Sequence, residues 1–276
     1  MNAPTGAPQL FRPHPALAEA IDFFGYWAHG AGAPHQSRAL PRGAATVIID
    51  VGGRPRIDFF AGDGRTRLDV PAAFIAGAGT ATYVTHMAAA QTVVTVHFKP
   101  AGAGRFAGIA PGELENACVG LDAVWGAAGT RLHERLVDTP MASDRIAVLQ
   151  SFLLRRMRVG GPTTRPDVTA GLHAIEHNPS VRVAEIGAAL GLSPKLLTRS
   201  FRSEVGLAPK AYLRVRRLQA ALGRLDAGAA NGAAIAADLG YFDQAHFTRE
   251  FRSFTALTPT QYLGLRSWLP SHVELA

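Results

Sequence analysis

A stretch between Val183 and Leu263 is written almost twice. The first copy, I-G-A-A-L-G-L-S-P-K-L-L-T-R-S-F-R-S, runs from Ile186 to Ser203. The second, I-A-A-D-L-G-Y-F-D-Q-A-H-F-T-R-E-F-R-S, runs from Ile235 to Ser253. Ile186, Leu190 and Gly191 recur 49 positions on as Ile235, Leu239 and Gly240. Thr198, Arg199, Phe201, Arg202 and Ser203 recur 50 positions on, and Leu207, Pro209, Tyr212 and Leu213 keep that offset as Leu257, Pro259, Tyr262 and Leu263. The slip of one residue follows each glycine, where a turn absorbs it. A repeat of this kind means one small supersecondary unit used twice, which constrains the fold more than composition does.

Each copy predicts a helix, a glycine-marked turn and a second helix. Val183, Ile186 and Leu190 share one face; Gly191 suits a left-handed turn, Ser193 an N-cap, and Pro194 the first helical position. Asp243 takes the capping place in the second copy. Leu197 and Phe201, like Phe247 and Phe251, are four apart and face inward. Lys195, Thr198, Arg199 and Arg202 are left on one outer face, with Gln244, Ala245, Thr248, Arg249 and Arg252 as counterparts. Two short helices with a polar, basic second face predict a helix-turn-helix, whose second helix fits a DNA major groove. Between the copies, Tyr212, Val215, Leu218, Leu222 and Leu225 predict one continuous connecting helix, able to hold the two units for successive major grooves, about 34 Å apart.

Charge points the same way. The chain carries a formal net charge of +7. Lys195, Arg199, Arg202, Lys210, Arg214, Arg216, Arg217 and Arg224 face only Glu204 between positions 195 and 224, so the whole excess is matched within the repeat. Clustered basic charge on helices is the electrostatic footprint of nucleic-acid binding. Asp243 and Glu250 offset Arg249 and Arg252, so the first unit is expected to dominate affinity and the second to adjust position.

The run G-Y-F-D-Q-A-H-F-T-R-E-F-R and the following L-T-P-T-Q-Y resemble the DNA-binding domain of the AraC/XylS family of bacterial transcription regulators, over about 167–265. The resemblance implies seven helices, two helix-turn-helix units and action on promoter DNA. It also implies base-reading positions at Lys195, Thr198 and Arg199, and at Gln244, Ala245, Thr248 and Arg249. Two departures stand out. Ala256 occupies the place of Gly206 in the first copy, where the family usually has glycine, so that turn is expected to be strained or altered. The segment 226–234 is poor in apolar side chains, so weak packing is expected there.

The amino-terminal half changes character. β-prone runs at 46–51, 56–60, 72–76, 82–87 and 91–98, separated by glycine-rich turns, predict a small sandwich or barrel. In the last, Thr92, Val94, Val96 and Phe98 share one face, with Val93, Thr95 and His97 on the other. Leu17, Ile21 and Phe24 suggest a short helix over Ala16–Trp27; further helices are expected at 122–125, 130–137 and 143–158. The last has Ser143 as N-cap and a stripe of Ile146, Leu149, Leu153, Leu154 and Met157 that packs on its own core or on a second copy. The segment from Val96 to Asn116 resembles a sensor-like domain often found ahead of this DNA-binding unit, which implies a cupin-like β fold for a small effector or for dimerisation.

The expected class is therefore α+β: a β-rich, cupin-like amino-terminal domain with helices, then an all-α domain of two helix-turn-helix motifs on a connecting helix. The expected division is a sensor over 1–158, a linker over 159–166, a DNA-binding domain over 167–265 and a tail over 266–276. The expected partners are promoter DNA, RNA polymerase, an unidentified small effector and a second copy, with no membrane and a cytoplasmic location. The single Cys118 excludes an intramolecular disulfide or a cysteine-rich zinc site, and is expected to be a small buried side chain. The competing reading is a cupin-like metal-dependent enzyme fused to a DNA-binding module, using His86 and His97 on adjacent predicted strands with His29 or His35. No H-x-H-x-E, HExxH, GxSxG or Walker A pattern supports it, so no catalytic, metal or cofactor residue is expected.

Overall fold

The computed structural model describes residues 9–28, 35–52, 57–87, 91–158, 164–228, 231–266 and 271–275. Strands β1 (Gln9–Phe11), β2 (Ile21–Ala28), β3 (His35–Ala39), β4 (Thr46–Asp50), β5 (Asp58–Ala61), β6 (Arg67–Leu68), β7 (Ala73–Ala76), β8 (Tyr83–Met87), β9 (Thr92–Phe98) and β10 (Cys118–Gly120) lie before the helical half. A last strand, β11 (His272–Leu275), follows it. They form two antiparallel sheets, ordered β1-β2-β9-β4-β7-β10 and β11-β3-β8-β5-β6. The five predicted strand runs are β4, β5, β7, β8 and β9.

Both faces of β9 are used. Val94, Val96 and Phe98 are buried in a core shared with helices α1 (Gly104–Ala107), α2 (Leu121–Trp125), α3 (Ala127–Asp138) and α4 (Ala142–Arg158). Val93, Thr95 and His97 face a cavity between the sheets. The α4 stripe packs on this core: Ile146, Leu149 and Leu153 are buried in it, with Leu154 and Met157 against it. Ser143 lies inside α4 rather than capping it.

The expected helix over Ala16–Trp27 is not there. A 3-10 turn at Pro15–Leu17 leads directly into β2. The register of β2 on β9 shifts between Ile21 and Phe23, a bulge that resets the two-residue alternation. Ile21 and Phe24 thus reach the same core at a helix-like spacing of three.

The helical half comprises α5 (Pro166–His177), α6 (Val183–Ala189), α7 (Pro194–Val205), α8 (Pro209–Asp226), α9 (Gly232–Asp238), α10 (Gln244–Thr255) and α11 (Pro259–Leu265). These are the seven helices that the resemblance implies. Leu197, Phe201, Phe247 and Phe251 are buried, as are the five inward positions of α8. At eighteen residues, α8 spans about 27 Å at 1.5 Å per residue. In the apolar-poor segment, Asn231 caps α9 by accepting from the amides of Ala233 and Ala234, and Ile235 and Ala236 are buried.

The expected tail over 266–276 includes a strand that completes a sheet of the amino-terminal half. β11 pairs with β3 along His272↔Ala39 to Leu275↔Gln36, and Val273 is fully buried. The two halves also meet elsewhere. Leu40, Ala78 and Ala101 join the core of the helical half. The Gln219 side-chain amide donates to the Pro41 carbonyl at 2.7 Å, and Ser271 Oγ donates to Gln219 Oε1 at 3.0 Å.

Candidate nucleic-acid interface and interior cavity

Helices α7 and α10 are started by side chains in the predicted places. Ser193 Oγ accepts from the Leu196 amide at 3.3 Å, and Asp243 Oδ1 from the His246 amide at 2.6 Å. Gly191 and Gly240 adopt φ of +64° and +71°, the left-handed turn that each unit needs before its second helix. With the apolar residues of α7 and α10 inward, Lys195, Arg199 and Arg202 are exposed on α7, and Thr198 is half-buried among them. On α10, Gln244, Ala245, Arg249 and Arg252 are exposed and Thr248 is half-buried. Among the described residues, Lys195, Arg199, Arg202, Arg249 and Arg252 take part in no ion pair, leaving their charge available to an anion.

The connecting helix is different. Arg214 Nε donates to Glu250 Oε1 at 2.9 Å, and its guanidinium lies 5.0 Å from the Phe254 ring centroid. Arg216 pairs with Glu176, Arg217 donates to the Pro179 carbonyl, and Arg224 pairs with Asp238. Four arginines of the charged run therefore hold the helical half together. Glu250 is drawn inward by Arg214, and Asp243 accepts the His246 amide at its cap while keeping its charge.

A contact that sequence reasoning missed bears on α7. The 3-10 turn Pro111–Leu114 packs on this helix so closely that a Cβ on Gly112 would lie 2.6 Å from the Arg202 carbonyl oxygen. A Cβ on Gly206 would lie 2.9 Å from the Pro111 carbonyl oxygen. Ala110, Gly112 and Glu113 form one wall of an open cleft whose other wall is Lys195, Thr198, Arg199 and Arg202. The sequence offers only the glycines as a signal, and glycine alone does not say what approaches it. Ala256 ends α10 at φ +60°, matching Gly206 at +91°, so the strained turn expected from the substitution is present.

The second feature is a cavity of about 210 Å³ between the sheets. Its walls are mainly apolar and aromatic, including Phe23, Tyr26, Trp27, Ile48, Phe59 and Phe74. Ser37 and Thr85 bond each other at 2.9 Å. Arg42 Nη1 lies 2.7 Å from His97 Nδ1, and His97 Nε2 3.0 Å from Thr95 Oγ1. A guanidinium only donates, so Nδ1 accepts and Nε2 carries the imidazole proton. Burial, then the charge of Arg42 and His272, holds His97 well below the usual histidine range. Cys118 is partly buried on the same wall, and burial pushes its thiol up to about 11.

His86 and His97 are not neighbours. β8 and β9 belong to different sheets, because the chain crosses over between them. The His86 ring packs on Phe60, and its Nδ1 lies 3.4 Å from the Gln36 amide. His29 lies outside the described residues.

Residues 186–264 match a family described as a helix-turn-helix domain, and residues 9–120 one described as a domain of unknown function, DUF6597. An uncharacterized HTH-type transcriptional regulator of Haemophilus influenzae is 36% identical over 64 residues, 23% of this chain and 22% of that protein. The F1 operon positive regulatory protein of Yersinia pestis is 37% identical over 78 residues, 28% of this chain and 26% of that protein. The chain thus spans about a quarter of the length of these curated relatives. Among solved structures, ToxT from Vibrio cholerae O395 aligns over 87% of this chain and 96% of its own at 10% identity and a TM-score of 0.47. An AraC-type transcriptional regulator from Chromobacterium violaceum aligns over 38% of this chain and 95% of its own, at 24% identity and a TM-score of 0.35.

Proposed function

We propose that the protein, whose residues 186–264 match a helix-turn-helix family, is a sequence-specific transcription regulator of the AraC type that places α7 and α10 in successive major grooves of promoter DNA. The observation that carries this reading is the set of five unpaired, outward cations on two capped helices that α8 holds together. Arg199 and Arg249 suit guanine and Gln244 suits adenine by hydrogen-bond geometry, with Lys195, Thr198, Ala245 and Thr248 beside them. Arg202 and Arg252, one turn further on, are placed for phosphates.

The amino-terminal half is the sensor: a small effector enters the cavity between the sheets and changes how that half docks on α7. Glu113 faces the same cleft as Lys195 and Arg199, so the docked arrangement sets a carboxylate where the DNA backbone approaches. Contact with RNA polymerase, a dimeric assembly and a cytoplasmic location belong to the same reading. Among the described residues, no helix is long and apolar enough to cross a membrane.

The test is a binding titration on a site recovered by selection from random duplexes. Arg199→Ala and Arg249→Ala should each weaken specific binding by about 1–3 kcal/mol where the contact is bidentate to a base. Log affinity should fall steeply with log salt as phosphate counterions are released. Unchanged affinity in both variants, or a flat salt dependence, would refute the assignment.

A further inference from the structure

The one-residue slip between the two copies of the repeat has a definite place in the structure. Leu192 and Tyr241 are equivalent, 49 positions apart: their amides donate to the carbonyls of Gly187 and Ala236, each at 2.9 Å. Ser193 and Asp243 are equivalent as N-caps, 50 positions apart. Phe242 therefore has no counterpart in the first copy. It is the added residue.

Phe242 is 92% exposed, more than any other large apolar side chain among the described residues. Its backbone is nonetheless held firmly. The Phe242 amide donates to His246 Nδ1 at 3.3 Å, and the His246 ring stands edge-on to Tyr241 at 5.4 Å between centroids. Tyr241 is buried, with the Arg217 guanidinium 5.7 Å from its ring centroid. A bare aromatic ring is thus held out in water from a fixed turn. Turns favour glycine, asparagine, aspartate and serine for their backbone geometry, and nothing in this one calls for an aromatic side chain.

The place of the ring says what covers it. Phe242 directly precedes the Asp243 cap, and the exposed Gln244 and Ala245 open α10 just beyond. The N-terminal residues of a recognition helix are those that reach base edges in the major groove. Further along the same helix, Arg249 and Arg252 are exposed, a cationic surface suited to the phosphate backbone. The apolar group that DNA presents in that groove is the 5-methyl of thymine, and phenylalanine is among the side chains that pack on it.

We infer that Phe242 is a specificity-determining residue of the second unit, its ring packed on the 5-methyl group of a thymine beside the bases that Gln244 and Ala245 face. The second unit then selects sequence partly through an apolar contact for which the first has no equivalent. This rests on the proposed entry of α10 into a major groove, and it adds to that reading one residue and the base it recognises.

Fluorescence anisotropy of the full chain on a duplex selected from random sequences tests it, with each thymine replaced in turn by deoxyuridine, which removes only the methyl. Loss of one buried methyl should weaken wild-type binding about fourfold at a single position. Phe242→Ala should bind the thymine duplex correspondingly more weakly and lose nothing further when deoxyuridine stands at that position. Because the ring covers nothing in the free protein, this variant should melt as wild type does; a clearly lower melting temperature overturns the proposal. A selected site without thymine, or indifference of wild type to every deoxyuridine while Arg249→Ala still weakens binding, overturns the thymine contact and spares the entry of α10. A methyl penalty that persists in full in Phe242→Ala belongs to another side chain such as Ala245, and overturns the role of the ring. Wild-type DNA affinity in Phe242→Ala, with loss only of transcription by added RNA polymerase, makes the ring a protein contact and overturns it equally. Unchanged affinity in both Phe242→Ala and Arg249→Ala overturns the entry of α10 together with the proposal.

Discussion

Ala256 and Gly206 occupy the same turn in the two copies of the repeat, and exchanging their side chains predicts opposite effects. Ala256 sits at φ +60° and ψ 9°, and its amide donates to the Arg252 carbonyl at 2.9 Å to close α10. A Cβ in the left-handed region costs about 1–2 kcal/mol. The Ala256 methyl is exposed, so Ala256→Gly loses no packing. Glycine gives back about 0.4–1 kcal/mol through its freer unfolded chain. The net is a gain of about 0.5–1 kcal/mol, or a rise of about 1–4 °C in melting temperature for a chain of this size. Gly206→Ala is the reverse. At φ +91° it acquires the strain, and its new Cβ lies 2.9 Å from the Pro111 carbonyl oxygen and 3.3 Å from Ala78. A backbone carbonyl cannot rotate away as a side chain can, so the loss should reach about 2–3 kcal/mol. Differential scanning calorimetry of the full-length variants reads both. A lower melting temperature for Ala256→Gly would refute the strain argument, and a neutral Gly206→Ala would refute the close approach of Pro111 to the end of α7.

Because burial lowers the His97 pKa, the unfolded chain takes up more protons than the folded one between the folded value and about 6.5. Its contribution to stability is complete above that range and is lost as pH falls, so wild type should lose melting temperature between neutral and mildly acidic pH faster than His97→Gln; parallel curves would count against it. Gly112→Val puts a side chain against the Arg202 carbonyl and should loosen the 3-10 turn Pro111–Leu114 from α7. Where docking limits access of α7 to the groove, the variant should bind duplex DNA several-fold more tightly while keeping wild-type circular dichroism. Affinity no higher than wild type would mean that the docked turn does not hinder reading.

The helical half was legible because its period, caps and turn residues agree with one another. Ser193, Gly191, Asp243 and Gly240 each state locally what packing then requires, and the outward set on α7 and α10 follows from Leu197, Phe201, Phe247 and Phe251 pointing in. Side-chain partners are not a local property. The sum of charges between 195 and 224 does not separate Arg199, in no ion pair among the described residues, from Arg214, which is tied to a glutamate 36 residues away. In the amino-terminal half, β4 and β9 show through their alternation, while the bulge in β2 disguises a strand as a helix. β3, with His35, Gln36 and Arg38, is too polar to announce itself, and β10 and β11 are too short. The cavity was invisible because it is made by which sheet each strand joins, a long-range property absent from any window.

The return of β11 to β3 also sets an order of manufacture. Ala39 is made more than two hundred residues before His272, its partner in the ladder, so on the ribosome that edge of the sheet is unpaired by β11 while the helical half is synthesised. A waiting edge strand is a place for wrong pairings, and polar side chains such as Gln36, Ser37 and Arg38 make β3 a poor template for them. β11 becomes available to that edge only after α8 and α11 have been synthesised, because it follows them in the chain. Completing that sheet is thereby coupled to the helical half, whose Gln219 is held by Ser271 at the start of β11.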